Sequence, residues 1–148
     1  MSCLFHLMRT FPFLLLFTAP ALAQQLPVVE LKAGMHLIRA ELAADFSSRG
    51  RGLMHRKSLA PNAGMLFIFD GPAIHCMWMK NTYIPLSVAF LDDKGEIINI
   101  ADMQPHSEQS HCAARPALYA LEMAQGWFAE RGVKPGAKLG GLGQAARR

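Results

Sequence analysis

Apolar runs of strand length on both sides of a polar triplet constrain the fold of this chain more than any other feature. Residues 64–69 read GMLFIF, residues 87–91 read SVAFL, and Lys80-Asn81-Thr82 lies between them. A continuous apolar run of this length, bounded by turn-forming residues, is typical of a strand that is covered on both faces. We therefore predict a central strand at residues 65–69 and a strand pair that presents the triplet at the rim of the core.

Short-range patterns predict the remaining elements. Two hairpins are indicated by turn residues between apolar runs: residues 28–31 with 35–42, and residues 87–91 with 96–100. Further strands are predicted at residues 74–79, 117–123 and 133–139, and short helices after Asp45 or Ser47 and at residues 126–131. About seven short strands and two short helices make an α+β, mainly β fold with one compact sheet system.

The first 23 residues have the layout of a secretory signal peptide. A short segment with Arg9 and no acid precedes an apolar run, and Ala21-Leu22-Ala23 supplies the small residues of a cleavage site. The alternative is a membrane anchor, but spanning a bilayer needs about 20 apolar residues and this run is shorter. We predict an exported, periplasmic protein with a signal peptide at 1–23, one β-rich domain at 24–139 and a flexible tail at 140–148.

Cleavage after Ala23 removes Cys3 and leaves Cys76 and Cys112. In an exported protein, an even pair of cysteines predicts a disulfide, which would stabilise the fold by about 3–4 kcal/mol through loop closure. A redox-active pair and a pair of metal ligands are the alternatives. The chain has no Cys-x-x-Cys spacing, so a structural Cys76–Cys112 disulfide is the prediction.

Charge and motif content limit the partners of the mature chain. Loss of Arg9 leaves 14 of the 15 basic residues against 11 acidic residues. These basic residues form no stripe with interleaved aromatic residues, so nucleic acid is excluded as a partner. The sequence indicates no cofactor, and it predicts membrane contact only through the signal peptide before cleavage. An unknown small molecule or peptide remains as the expected partner.

Five motifs, in this order and spacing, resemble the domain-of-unknown-function family 192. They are RGLMHR at residues 51–56, GMLFIF at 64–69, WMKNT at 78–82, IPL at 84–86 and LEMAQG at 121–126. The resemblance covers residues 28–139. It implies a compact, mostly β domain that is often exported, and it implies no activity. The family commonly has an aspartate after the IPL motif, where this chain has Ser87, so any chemistry of that acid would be absent here.

The leading candidate is a site for a small molecule or peptide, and its members are Arg51, Trp78, Lys80, Asn81 and Thr82. A tryptophan offers a broad apolar face with one donor, and the polar side chains offer donors that fix a ligand at the mouth of a pocket. The alternative is that Trp78 packs in the core while residues 80–82 form a turn that caps it.

A copper site is a second candidate. Strand alternation places His75, Met77 and Met79 on one face, and further soft or imidazole donors follow at Met103, His106 and His111. Methionines among apolar neighbours are more often core residues, so our prediction of metal-binding residues is none.

An enzyme that acts on an envelope polymer is a third candidate. It would use Asp102 and Glu122 as acid and base, but the chain contains no nucleophile elbow, His-Glu-x-x-His helix or phosphate loop. Because Glu122 lies in an apolar run, we expect it to be buried and paired with Arg51, Arg56 or Lys80. We therefore expect ligand binding rather than catalysis and predict no catalytic residues.

Signal cleavage and the disulfide can be tested together by intact mass spectrometry of the exported protein under denaturing conditions. We expect a chain that begins at Gln24 and is two hydrogen atoms lighter than its fully reduced form, because export removes residues 1–23 and oxidation joins Cys76 to Cys112. A chain that still begins at Met1, or that carries two free thiols, would contradict the prediction.

Overall fold

The computed structural model describes residues 25–147, so the predicted signal peptide lies outside the described residues. Within them the elements are β1 (Val28–Ala33), β2 (His36–Ala43), α1 (Phe46–Arg51), β3 (Ala63–Ala73), β4 (Cys76–Met77), β5 (Leu86–Leu91), β6 (Ile97–Met103), β7 (His111–Cys112), β8 (Ala117–Ala124), α2 (Trp127–Glu130), β9 (Leu139–Gly140) and α3 (Leu142–Ala145). The predicted α+β, mainly β class is confirmed. No helix in this part of the chain combines the length and apolar composition needed to cross a bilayer.

Seven strands form one curled sheet in the order β6-β5-β8-β3-β2-β1-β9. Only β2 and β3 run parallel among its neighbouring strands, and helix α1 lies in the connection between them. Glu96, just before β6, forms a bridge with Lys138, just before β9. Because β6 and β9 are the two edge strands, this bridge brings the edges of the sheet towards each other.

Apolar side chains cover both faces of the sheet, in two clusters. The first core contains Leu31, Ile38, Trp127 and Phe128, and the second contains Leu53, Phe67, Met79 and Phe90. All six residues of β5 are buried, which explains why five of them are apolar and why the strand does not alternate with exposed polar residues. The strand predicted at residues 65–69 is likewise central, between β8 and β2.

Helix α1 begins with a capping box. The Ser48 amide donates to the Asp45 carboxylate over 2.9 Å, and the Asp45 amide donates to the Ser48 hydroxyl over 3.2 Å. This reciprocal bonding satisfies amide donors that have no partner within the helix. Of the two caps that the sequence allowed, Asp45 is the one used. The helix then ends at Gly52, which has a positive φ of 50°.

Three segments differ from the predicted elements. The strand predicted at residues 74–79 is reduced to Cys76–Met77, because it pairs with β7 outside the main sheet. The strand predicted at 133–139 is reduced to Leu139–Gly140. The segment predicted as a flexible tail contains α3, whose Leu142 packs in the first core. These outcomes depend on contacts between distant segments, which local patterns do not specify.

The predicted disulfide is present. Cys76 and Cys112 are directly opposed in the β4–β7 pair, and their sulfur atoms are 2.07 Å apart. The bond connects the segment that leads to Trp78 with the long loop that follows β6. Two strands of two residues each contribute few hydrogen bonds, so we infer that the covalent bond contributes strongly to holding this small sheet together.

Gly64 permits the close pairing of β3 with β8. A Cβ atom at this position would lie 2.4 Å from the backbone oxygen of Glu122 and 2.4 Å from the sulfur of Met123. We expect Gly64→Ala to lower the free energy of unfolding by about 1–3 kcal/mol, because the strands must move apart. Urea unfolding followed by circular dichroism measures this change.

Gly50→Ala is the matched control, since a Cβ atom there has no neighbour within 4 Å. This glycine lies in α1, where alanine is favoured over glycine by about 1 kcal/mol. Gly50→Ala should therefore be neutral or stabilising. Equal destabilisation of the two variants would contradict the role given to the close β3–β8 contact.

Candidate functional site

A narrow cleft opens where the end of α1 meets the segment that follows β4. Its accessible volume is about 30 Å³, enough for one or two water-sized groups. We call it the inner cleft; the residues that define it here are Arg51, Gly52, Phe67, Trp78, Thr82 and Glu122. Three of the five predicted ligand-binding residues therefore line the same cleft: Arg51, Trp78 and Thr82.

Glu122 is the acidic group of the inner cleft. It lies within β8, with Met65 of β3 and Val88 of β5 as its register partners. Only 3% of its surface is exposed. Burial raises the pKa of its carboxyl group from 4.5 to about 8, since a charged group is poorly solvated among apolar side chains. At pH 7 this carboxyl group is therefore mostly protonated.

The carboxyl group of Glu122 has no ion pair, and no described residue supplies it with a hydrogen bond. Within residues 25–147, every fully enclosed side-chain oxygen or nitrogen has a hydrogen-bond partner. The Glu122 oxygens have none, so they must keep some accessible surface. The inner cleft that Glu122 lines is the place where they do so.

The expected ion pair of Glu122 with Arg51, Arg56 or Lys80 is wrong. Arg56 instead makes a two-bond ion pair with Glu41, at 2.9 and 2.7 Å. Lys80 lies 3.9 Å from Glu108. The side chain of Arg51 makes no ion pair or hydrogen bond to another described residue. These cations lie near the protein surface, whereas Glu122 lies in the middle of the sheet.

The mouth of the inner cleft is formed by groups that a ligand can contact. Trp78 is 47% exposed, and the Lys80 ammonium lies 5.3 Å from the centre of its ring. The backbone at Gly52 lies close to the Phe67 ring, because a Cβ atom at Gly52 would be 3.3 Å from that ring. Arg51 and Trp78 are therefore distant in sequence but line the same cleft.

The polar triplet is held mainly through its backbone. Asn81 adopts a left-handed conformation with φ 54°, and its carbonyl oxygen accepts from the His55 amide over 2.9 Å. The buried Thr82 donates its hydroxyl to the Lys80 carbonyl over 3.3 Å. Lys80 and Asn81, two of the predicted ligand-binding residues, are exposed beside the inner cleft and do not line it.

A wider depression, which we call the outer pocket, adjoins the inner cleft. Its volume is about 440 Å³, and its lining includes Leu26, Val28, Glu41, Arg51, Met54 and Arg56. Arg51, Gly52 and Met54 line both spaces. A volume of this size is within the range of small-molecule sites. The two spaces together can therefore accept a ligand with a narrow end and a broader body.

Asp102 and Glu122 do not share a cleft, so the acid–base pair expected for an enzyme is not formed. Asp102 pairs in register with Ser87, and Glu122 with Val88. Because adjacent residues of a strand point to opposite faces, the two acids lie on opposite faces of the sheet. Asp102 accepts a hydrogen bond from the Ser87 hydroxyl, which accepts from the Gly126 amide over 2.9 Å. A carboxylate is therefore present next to Ser87, supplied by the neighbouring strand.

Three of the six residues considered for copper are engaged elsewhere. His75 stacks on Phe69 with ring centres 3.7 Å apart, and one of its ring nitrogens lies 2.9 Å from the Gly71 carbonyl. Met79 and Met103 are fully buried in the second core. Across residues 25–147, no three histidine, cysteine, aspartate or glutamate residues are grouped as metal ligands.

Sequence reasoning placed Arg51, Trp78 and Thr82 at the ligand site but gave Glu122 a structural role and left it out of that site. An acidic residue inside the apolar run at 117–123 was the available signal. Strand alternation gives the face on which Glu122 lies, but it does not reveal that Gly52 and Phe67 lie across the cleft. Those neighbours come from the residue that follows α1 and from β3, which are distant from Glu122 in sequence.

A family model and two solved structures match this chain. The model of domain-of-unknown-function family 192 (DUF192, described as uncharacterized ACR) matches residues 28–141. The crystal structure of a putative transcription regulator from Sinorhizobium meliloti 1021 is similar, with 41% identity and a TM-score of 0.73 over 78% of this chain and 93% of that chain. A protein of unknown function from Novosphingobium aromaticivorans DSM 12444 has 35% identity and a TM-score of 0.72, over 82% of this chain and 89% of that chain. No curated protein matches this chain.

Burial of Glu122 predicts a stability that falls as pH rises. The folded state has a pKa of about 8 at this group against 4.5 for a free carboxyl, so the folded protein binds the proton more tightly than the unfolded chain does. This tighter proton binding stabilises the folded state fully below pH 4.5. The free energy of unfolding then falls by up to about 5 kcal/mol as pH rises from 4.5 through 8.

We therefore expect Glu122→Gln to remove this pH dependence and to be more stable than the wild-type protein at pH 9. Urea unfolding at pH 5, 7 and 9 measures the effect. Glu30→Gln, at an exposed position of β1, is the control and should keep the wild-type slope. If the free energy of unfolding of Glu122→Gln changed with pH as the wild-type value does, a group other than Glu122 would cause the pH dependence.

Proposed function

We propose that this chain, which belongs to domain-of-unknown-function family 192, is an exported binding module that takes a small molecule or peptide in the inner cleft and outer pocket. The observation that carries the proposal is the Glu122 carboxyl group, which is buried, has no partner among the described residues and lines a cleft. Because this carboxyl group lines the cleft and has no hydrogen-bond partner in the described protein, a ligand in the cleft can bond to it.

The opening of the cleft supports binding more than core packing. Trp78 is half exposed, and the Arg51 side chain has no ion pair or hydrogen bond to another described residue. A tryptophan that served only to fill the core would be enclosed, as Trp127 is at 4% exposure. An exposed aromatic face beside an available guanidinium group is typical of a surface that recognises a ligand.

Export to the periplasm is the second part of the proposal. It rests on the signal-peptide pattern of residues 1–23 and on the Cys76–Cys112 pairing, since disulfides persist in oxidising compartments. The similar protein from Sinorhizobium meliloti is named a putative transcription regulator. We do not extend that role to this chain, because its basic residues form no nucleic-acid-binding stripe.

Native mass spectrometry of protein isolated from its own compartment tests the binding function. We expect extra mass under native conditions that is lost on denaturation, because the ligand is held non-covalently in the inner cleft. Trp78→Ala should lose this mass and stay folded, since the side chain lies at the mouth of the cleft. Phe46→Ala, which removes an aromatic side chain that is 89% exposed and outside both spaces, should retain it.

Two results would contradict the binding function. One is retention of the bound mass by Trp78→Ala together with Arg51→Ala, which would place the ligand elsewhere. The other is unfolding of Trp78→Ala with no bound mass in the wild-type protein, which would make Trp78 a packing residue.

A further inference from the structure

We infer that the ligand is an organic acid whose carboxylate enters the inner cleft, where Glu122 donates a hydrogen bond to it and Arg51 faces its charge. This inference rests on the proposed function and names its ligand class. Its basis is the set of groups that line the cleft, their charge and the size of the two connected spaces.

The charged groups around the inner cleft favour an anion. The end of α1 contributes Arg49 and Arg51, β8 contributes Glu122, and the lining residues from β3, β4 and the following segment carry no charge. Arg49 is bound to Asp70 at 2.9 Å and to two carbonyl oxygens, so its charge is largely satisfied. Arg51 is left as the available charge. With Glu122 neutral, the opening is positive and would repel an ammonium group.

Hydrogen-bonding capacity points to the same class of ligand. A neutral carboxyl group has one O–H donor, and a guanidinium group has donors only. Both Glu122 and Arg51 therefore need an acceptor from the ligand. A carboxylate is an acceptor-only group, and its pairing with arginine is among the stronger charge-assisted hydrogen bonds in proteins.

The dimensions separate the acid group from the rest of the ligand. The inner cleft holds one or two water-sized groups, which suits a carboxylate and excludes a ring. The outer pocket, at about 440 Å³, shares Arg51 with the inner cleft and includes the apolar Leu26 and Val28. A ligand with a carboxylate at one end and an apolar body fits this arrangement.

Protonation of Glu122 gives the inference a measurable consequence. When pH rises above about 8, the buried carboxyl group ionises and would face the ligand carboxylate with a like charge. Affinity should therefore fall by about tenfold between pH 7 and pH 9, following the protonated fraction of this group. The other charged residues that line the inner cleft are Arg49 and Arg51.

The experiment uses phenylacetate as the probe, with phenethylamine and phenylacetamide as cationic and neutral analogues of similar size. Each is titrated into the mature, disulfide-bonded protein and followed by nuclear magnetic resonance at pH 7 and pH 9. We expect phenylacetate to bind most tightly and to weaken about tenfold at pH 9. Binding should be lost in Trp78→Ala.

Three variants assign the effect to the proposed groups. Glu122→Gln keeps a neutral donor, so it should bind phenylacetate with little change between pH 7 and pH 9. Arg51→Ala should bind it at least tenfold more weakly at both pH values, because the facing charge is gone. Arg39→Ala removes an exposed arginine on β2 that lines neither space, and it should bind as the wild-type protein does.

The outcomes separate this inference from the function on which it rests. Preferential binding of phenethylamine or phenylacetamide, abolished by Trp78→Ala, would overturn the organic-acid class and support the cleft as a binding site. Phenylacetate binding that is unaffected by pH, by Glu122→Gln and by Arg51→Ala would also overturn it. A protein that binds none of the three probes and carries no native ligand would contradict both.

Discussion

The close pairing of β3 with β8 is the contact on which the rest of the structure depends. These strands occupy the middle of the seven-stranded sheet, and the absence of a side chain at Gly64 lets them meet beside Glu122 and Met123. Because Leu121 and Met123 face the first core, Glu122 between them must face the second. Sheet geometry thus places an acidic group among apolar side chains, and the elements that cover this face determine its environment.

Burial of Glu122 is unfavourable for folding above its free pKa, and no described residue forms an ion pair with it to offset this cost. Replacing a buried polar group by an apolar residue of similar size is often neutral or stabilising, so stability alone gives no reason for an acid at this position. A functional role is the simplest physical explanation. The cleft gives the carboxyl group contact with solvent or ligand, while its neutral state keeps the desolvation cost moderate.

Local patterns predicted much of the fold but little about contacts between distant segments. The hairpin of β5 and β6 and the central position of β3 follow from apolar runs and turn residues. The length of β4 does not, because its partner β7 begins more than 30 residues later. The same limit applies to the site. The sequence indicated Arg51, Trp78 and Thr82 as a group, but the presence of Glu122 in the same cleft depends on how α1 packs over the sheet.

The position of Trp78 shows how the compartment and the site are related. The Cys76–Cys112 bond lies two residues before Trp78, and the following residue, Met79, donates its amide to the Ser107 carbonyl over 2.8 Å. Both restraints attach the wall of the inner cleft to the loop after β6, outside the main sheet. Without the covalent bond, a pair of two-residue strands would have to hold this wall. Under the proposed function, the disulfide would therefore help to preorganise the mouth of the cleft and reduce the entropy lost on ligand binding.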